Sequence, residues 1–178
     1  DFGLNIPGYG LDFKSLNGEG IFLFPSYLNG SFKGDLLEHP VSIEVRSNSE
    51  KVEFIFEGVA DAETVSSLGD PLVEPYIDGE FGYTALMEFR ISDIGSSRLE
   101  IESDLSGLWI GLPDPLGKIK DETRLTTLVI EFEEGQQSVF YRYGEDEARL
   151  TIIDGSVVRG SIGFSDNPID VDDNRLVL

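Results

Sequence analysis

Hydrophobic and polar residues alternate along most of this chain with a period of two, the spacing that sends successive side chains to opposite faces of a β-strand. Residues 41–46 (Val-Ser-Ile-Glu-Val-Arg) and 52–57 (Val-Glu-Phe-Ile-Phe-Glu) alternate most clearly, and the polar run 47–50 between them predicts a hairpin. Further strands are predicted at 11–14, 20–24, 84–91, 98–103, 108–112, 125–133, 138–143, 148–153 and 157–164. Turns are expected at Asn17-Gly18, Asn29-Gly30, Gly135, Gly144-Glu145-Asp146 and Asp154-Gly155. Helical periodicity is nearly absent. One two-turn helix is predicted near 61–68, with Asp61 as N-cap, Glu63 in the first turn, Gly69 as the stop and Pro71 beyond it. Short strands at close spacing, joined mostly by hairpin-length loops, predict a mainly β fold: a curved, largely antiparallel sheet, either a taco-like groove or an open sandwich.

The faces of these strands differ. Glu44, Arg46, Glu53, Glu57, Glu100, Glu102, Glu131 and Glu133 fall on one side, and an aliphatic and aromatic wall falls on the other. The wall consists of Val41, Ile43, Val45, Val52, Phe54, Phe56, Met87, Phe89, Leu99, Ile101, Leu128, Ile130, Phe132, Leu150, Ile152, Ile162 and Phe164. A contiguous apolar patch of this size is rarely left bare, so a second layer covers it or it curls around something apolar. Each of these residues is therefore either sealed core or part of a surface that holds alkyl chains, which require only dispersion contact and exclusion of water.

Composition narrows the function. The chain has 178 residues, 40% hydrophobic, with 34 acidic against 13 basic residues and a formal charge of −21. Such a polyanion is repelled by nucleic acid and gains nothing from anionic headgroups. With 12 Phe and 6 Tyr it is no disordered acidic tail. The absence of Cys removes disulfides and thiolate chemistry, and a single His39 removes multi-His metal sites. No apolar run is long enough for a membrane-spanning helix. No catalytic constellation emerges: paired Glu on strand faces read as solvated, and His39 lacks a Gly-x-Ser-x-Gly partner and reads as a loop cap. Asp170, Asp172 and Asn174 have the first spacings of a calcium loop, but Arg175 occupies the position of the turn glycine. No metal, cofactor or enzymatic activity is expected. Residues 1–178 read as a single elongated β-rich segment, with sub-units 1–80 and 81–178 as one possible division. The opening on Asp1 and the closing Arg175-Leu176-Val177-Leu178 suggest a piece of a longer protein.

The most distinctive stretch is 103–118, Ser-Asp-Leu-Ser-Gly-Leu-Trp-Ile-Gly-Leu-Pro-Asp-Pro-Leu-Gly-Lys, read as a pivot between two strands with Trp109 in the core and Pro113 and Pro115 stiffening the exit. Its Ser-Asp-Leu-x-Gly-Leu and Leu-Pro-x-Pro-Leu-Gly-Lys runs resemble those of the YhdP family of AsmA-like bacterial envelope proteins. Pro75 to Gly79 and the Arg159-Gly160-Ser161-Ile162-Gly163-Phe164 strand are similar to flanking segments of the same family. The resemblance implies the periplasmic part of a Gram-negative protein anchored by a single-pass inner-membrane helix. It implies a β-groove that carries phospholipid between inner and outer membranes and so maintains outer-membrane permeability. The expected partners are phospholipid acyl chains, adjoining segments of the parent chain and other envelope proteins. The alternative is a structural or assembly β-module of the envelope with a closed, lipid-free core.

Overall fold

The computed structural model describes residues 2–6, 11–23, 27–68, 71–93 and 96–164. Eleven strands form one antiparallel sheet in chain order: β1 (Phe2–Ile6), β2 (Leu11–Leu23), β3 (Tyr27–Leu36), β4 (His39–Ser47), β5 (Lys51–Asp61), β7 (Glu80–Arg90), β8 (Ser97–Ser103), β10 (Thr126–Glu133), β11 (Gln136–Tyr143), β12 (Asp146–Ile153) and β13 (Ser156–Gly163). The sheet is not closed, with β1 and β13 at its edges. The excluded strands β6 (Ile77–Asp78) and β9 (Trp109–Ile110) pair with each other as a separate two-stranded ribbon. Among the described residues the single α-helix, α1 (Ala62–Leu68), follows β5, and a 3-10 turn lies at Pro71–Tyr76. The fold class is the one the alternation predicts, a meander of hairpins with one short helix.

The helix start follows the capping expectation. The Asp61 carboxylate accepts from the Thr64 amide and the Thr64 hydroxyl, both at 2.8 Å, so it satisfies a donor that the first helical turn leaves open.

The sheet is curled with its apolar face inward. Phe13 of β2 and Phe56 of β5 are three strands apart, roughly 14 Å along a flat sheet. Their rings nevertheless stack at a centroid distance of 6.0 Å. Phe13, Leu16, Leu36, Val41, Ile43 and Val45 are buried together inside this curl, with Phe32, Phe54 and Phe56 packed against them.

Two turn expectations are corrected here. Asn17-Gly18 lies inside the continuous strand β2, and Asn29-Gly30 lies inside β3, paired with Ile21 and Gly20. The glycines serve close approach rather than reversal. A Cβ on Gly18 would fall 2.1 Å from the Ser31 carbonyl oxygen and 2.8 Å from the Phe32 ring, and one on Gly30 would fall 2.9 Å from the same ring. Phe32 thus lies flat over a glycine floor on the inner side, which lets the strands bend toward each other. The irregularity β2 does contain is a bulge between Lys14 and Asn17, with Ser15 at φ 54°. It lets Phe13 and Leu16 both turn inward although they are three residues apart.

Candidate functional site

The strand register assembles the candidate wall. Across β4, β5, β7, β8, β10, β11 and β12, Val45, Phe54, Met87, Leu99, Ile130, Val139 and Leu150 lie opposite one another in a single row. A second row runs Ile43, Phe56, Ala85, Ile101, Leu128, Tyr141, Ala148 and Ile162. A third contains Val52, Phe89, Ser97, Phe132, Gln137, Ile152 and Val157. No charged residue interrupts these rows. The longest crosses eight strands, roughly 34 Å at 4.8 Å per strand, and the other two cross seven each.

Coverage changes along the rows. Val41, Ile43, Val45 and Met87 are buried. Val52, Phe54, Phe56, Phe89, Leu99, Ile101, Leu128, Ile130, Phe132, Leu150 and Ile152 are half-buried. Ile162 is 68% exposed, and Phe164, just past β13, is exposed as well. The wall is sealed where β2 and β3 curl over it and open toward β13. Two tyrosines report the low polarity of this face. Burial raises the Tyr83 phenol pKa, and Tyr141, although its residue keeps solvent access, is pushed up to about 12 by burial, with Tyr143 adding to the shift.

The opposite face carries the carboxylates, as the alternation predicts, and pairs many of them with cations. Glu53 and Glu88 lie directly across from each other, and the Lys51 ammonium bridges both at 2.7 Å. These two partners raise the Lys51 pKa. Arg98 spans Glu100 (3.0 Å) and Glu131 (2.9 Å). Two apolar pairs that alternation counting did not single out also lie on this face, Ile55 opposite Leu86 and Val129 opposite Phe140, with Glu100 between them. The guanidinium groups of Arg142 and Arg149 each lie 5.3 Å from the Phe140 ring centre and shield it. A recess of about 210 Å³ at the β7–β8 end is lined by Arg90, Arg98, Glu131, Glu133 and Phe132. Its charges make it no extension of the wall.

The 103–118 stretch does join two neighbouring strands of the sheet, since β8 pairs with β10. Its strand is only Trp109–Ile110, shorter than the expected 108–112, and it belongs to the small ribbon. Leu105, Leu108 and Tyr143 form a second buried cluster with Ile77, Phe81 and Ile110. Trp109 is corrected from core to surface: it is 40% exposed because its ring lies over Gly111, where a Cβ would fall 2.2 Å from the ring. The residue that sequence reasoning missed is Lys118. It is only 4% exposed, and its ammonium donates to the Leu108 carbonyl (2.8 Å) and the Ile119 carbonyl (3.0 Å). Desolvation lowers its pKa, Arg124 lowers it further, and Glu122 and Asp104 offset part of the effect. A Lys beside Gly in a loop looks solvated, so although Lys118 closes the 112–118 motif, no local pattern marks its burial. The Tyr143 hydroxyl donates to Leu116 (2.9 Å), and Arg124 stacks on the Tyr143 ring at 4.7 Å.

The groups considered for catalysis do not converge. His39 opens β4 and lies 3.2 Å from Asp61, the helix cap. Burial works to raise the Asp61 pKa, but the two Thr64 hydrogen bonds and His39 outweigh it and hold the carboxyl below its ordinary range. Among the described residues no three acidic or His side chains are grouped to hold a metal ion, and no helix is long and apolar enough to cross a membrane. Asp170, Asp172 and Asn174 lie outside the described residues. Comparison of the chain with protein-family models, with curated proteins and with solved structures gives no match.

Proposed function

We propose that the apolar face binds phospholipid acyl chains and that this chain forms one segment of a bridge-like lipid conduit between the inner and outer membranes. The observation that carries this reading is the set of uncharged rows running unbroken across seven or eight strands while staying half-open over most of their length. A sealed core buries such rows, and an ordinary surface breaks them with charge. At roughly 34 Å, the trough is about twice the depth of one leaflet of a bilayer's hydrocarbon, ~15 Å. Each methylene sheltered there contributes about 0.8 kcal/mol, so acyl chains need no polar catalytic group to be held. The resemblance of the 103–118 motif to the YhdP family supports the same reading.

A second reading has its own observation. In the N-terminal half, Phe13, Leu16, Val41 and Val45 are buried against one another. This favours a structural or assembly module of the envelope with a closed core.

Photo-crosslinking and lipid extraction of the purified chain separate the two. A photoreactive residue at Phe132 is expected to give lipid adducts, while one at Trp109, an exposed residue of the small ribbon and outside the rows, gives none. Lipid is expected to co-purify and to be identified by mass spectrometry. Repeatedly lipid-free protein with only protein adducts at Phe132 would overturn the conduit and leave the scaffold.

A further inference from the structure

The β2–β3 hairpin ends in an apolar finger that the groove does not use. Ile21, Phe22 and Leu23 are 61%, 64% and 61% exposed, and Tyr27 across the hairpin is 42% exposed. Consecutive residues point to opposite faces of a strand, so the finger is apolar on both sides. Phe22 and Leu28 continue the inner face, while Ile21 and Leu23 lie on the outer one. Among the described residues, strand pairing on either side stops short of the Leu23–Tyr27 end. β4 pairs with β3 only from Asn29 inward, and β1 pairs with β2 only as far as Leu16. Beyond those points the Leu28 amide is held by the Ser47 hydroxyl at 2.6 Å, and the hairpin continues outward to the Leu23–Tyr27 pair.

Charge sets this finger apart. Residues 20–32 form the longest stretch of the chain without a charged side chain, in a protein where 26% of residues are charged and the net charge is −21. We infer that the β2–β3 finger seats in the headgroup region of a zwitterionic lipid bilayer and so docks the molecule on a membrane surface. A protein partner would have to enclose apolar side chains on both faces of a two-stranded ribbon, whereas a bilayer surrounds an inserted tip on every side. Three residues of strand advance about 10 Å, which matches the shallow depth of interfacial anchors, ~5–10 Å. Deeper burial is disfavoured because the outer edges of the hairpin carry backbone groups that hydrocarbon cannot satisfy. Tyr27 places a phenol where an aromatic ring with a polar tip is suited to the interface. The negative charge of the rest of the molecule acts against anionic lipid, so the surface selected is a neutral one.

The test uses the whole chain with vesicles. Phe22→Trp is expected to show a blue-shifted emission on adding phosphatidylcholine vesicles, and the wild type is expected to sediment with them. Replacing a third of the lipid by phosphatidylglycerol is expected to weaken binding at least threefold at low salt, with recovery as salt is added. Ile21→Asp with Leu23→Asp, both at exposed positions, is expected to lower binding at least tenfold without changing the melting curve. Leu125→Asp, at a position 73% exposed and outside the wall, serves as the control and leaves binding unchanged. Wild-type protein that stays in the supernatant, binding unaffected by the double Asp change, or crosslinks from position 22 only to protein would each overturn the inference. The result is independent of groove occupancy: lipid that co-purifies through the Phe132 face while the finger ignores vesicles sinks the anchor alone.

Discussion

Lys118 shows how one side chain can hold an irregular loop in place. Its side chain is buried, and its ammonium donates to two carbonyls of the 104–125 excursion. Lys118→Met keeps the stem and removes the donors, leaving those acceptors unpaired, and is expected to cost about 1–3 kcal/mol. For a chain of this size that is roughly 2–4 °C of melting temperature per kcal/mol. Lys120→Met breaks only the exposed contact with Asp78 (2.7 Å) and is expected to stay within about 0.5 kcal/mol. Equal melting shifts for the two variants would refute the assigned role. At this scale the sequence was partly legible. Asp61 announces its helix through the polar-then-apolar pattern after it, because capping is a local act. Lys118 is silent, because its role depends on carbonyls ten residues and one residue away in the chain.

At the scale of elements, alternation located β4, β5, β7, β8, β10, β11, β12 and β13 to within a few residues, since each has one wet and one dry face. It failed where glycine did something other than turn the chain. Asn17-Gly18 and Asn29-Gly30 carry the composition of hairpin turns, yet they make room for Phe32 against the inner side, a demand set by a partner strand. The candidate wall was legible for the same reason as the strands, while its coverage was not, because curling depends on how strands three apart meet. The ribbon of β6 and β9 is sensitive to a change in the loop that leads into it. Gly107 adopts φ 92°, and a Cβ there would lie 2.4 Å from the Glu80 carbonyl oxygen. Gly107→Ala is expected to destabilise by about 1–3 kcal/mol through backbone strain. It is also expected to redden Trp109 emission as the ribbon lifts from β7. Unchanged melting and emission would show that the loop tolerates the change.

For the whole molecule, the dominant long-range force is its own charge. Thirty-four acidic residues against thirteen basic ones leave a repulsion that exposed ion pairs only partly relieve. Screening at about 0.15 M salt, with a Debye length of about 8 Å, is therefore expected to raise the melting temperature over that at ~0.01 M. A melting temperature that falls with salt would show that the pairs around Lys51 and Arg98 outweigh the net repulsion. Finally, every strand of the large sheet sits beside the one before it in the sheet's own chain order. Contacts are therefore mostly between neighbours along the chain, as in stacked repeats. In such an arrangement the span of the inner surface is a count of hairpins. One more pair of strands at an edge would lengthen the trough by roughly 10 Å and disturb only the strand it joins, so reach can change by insertion while the rest of the structure keeps its form.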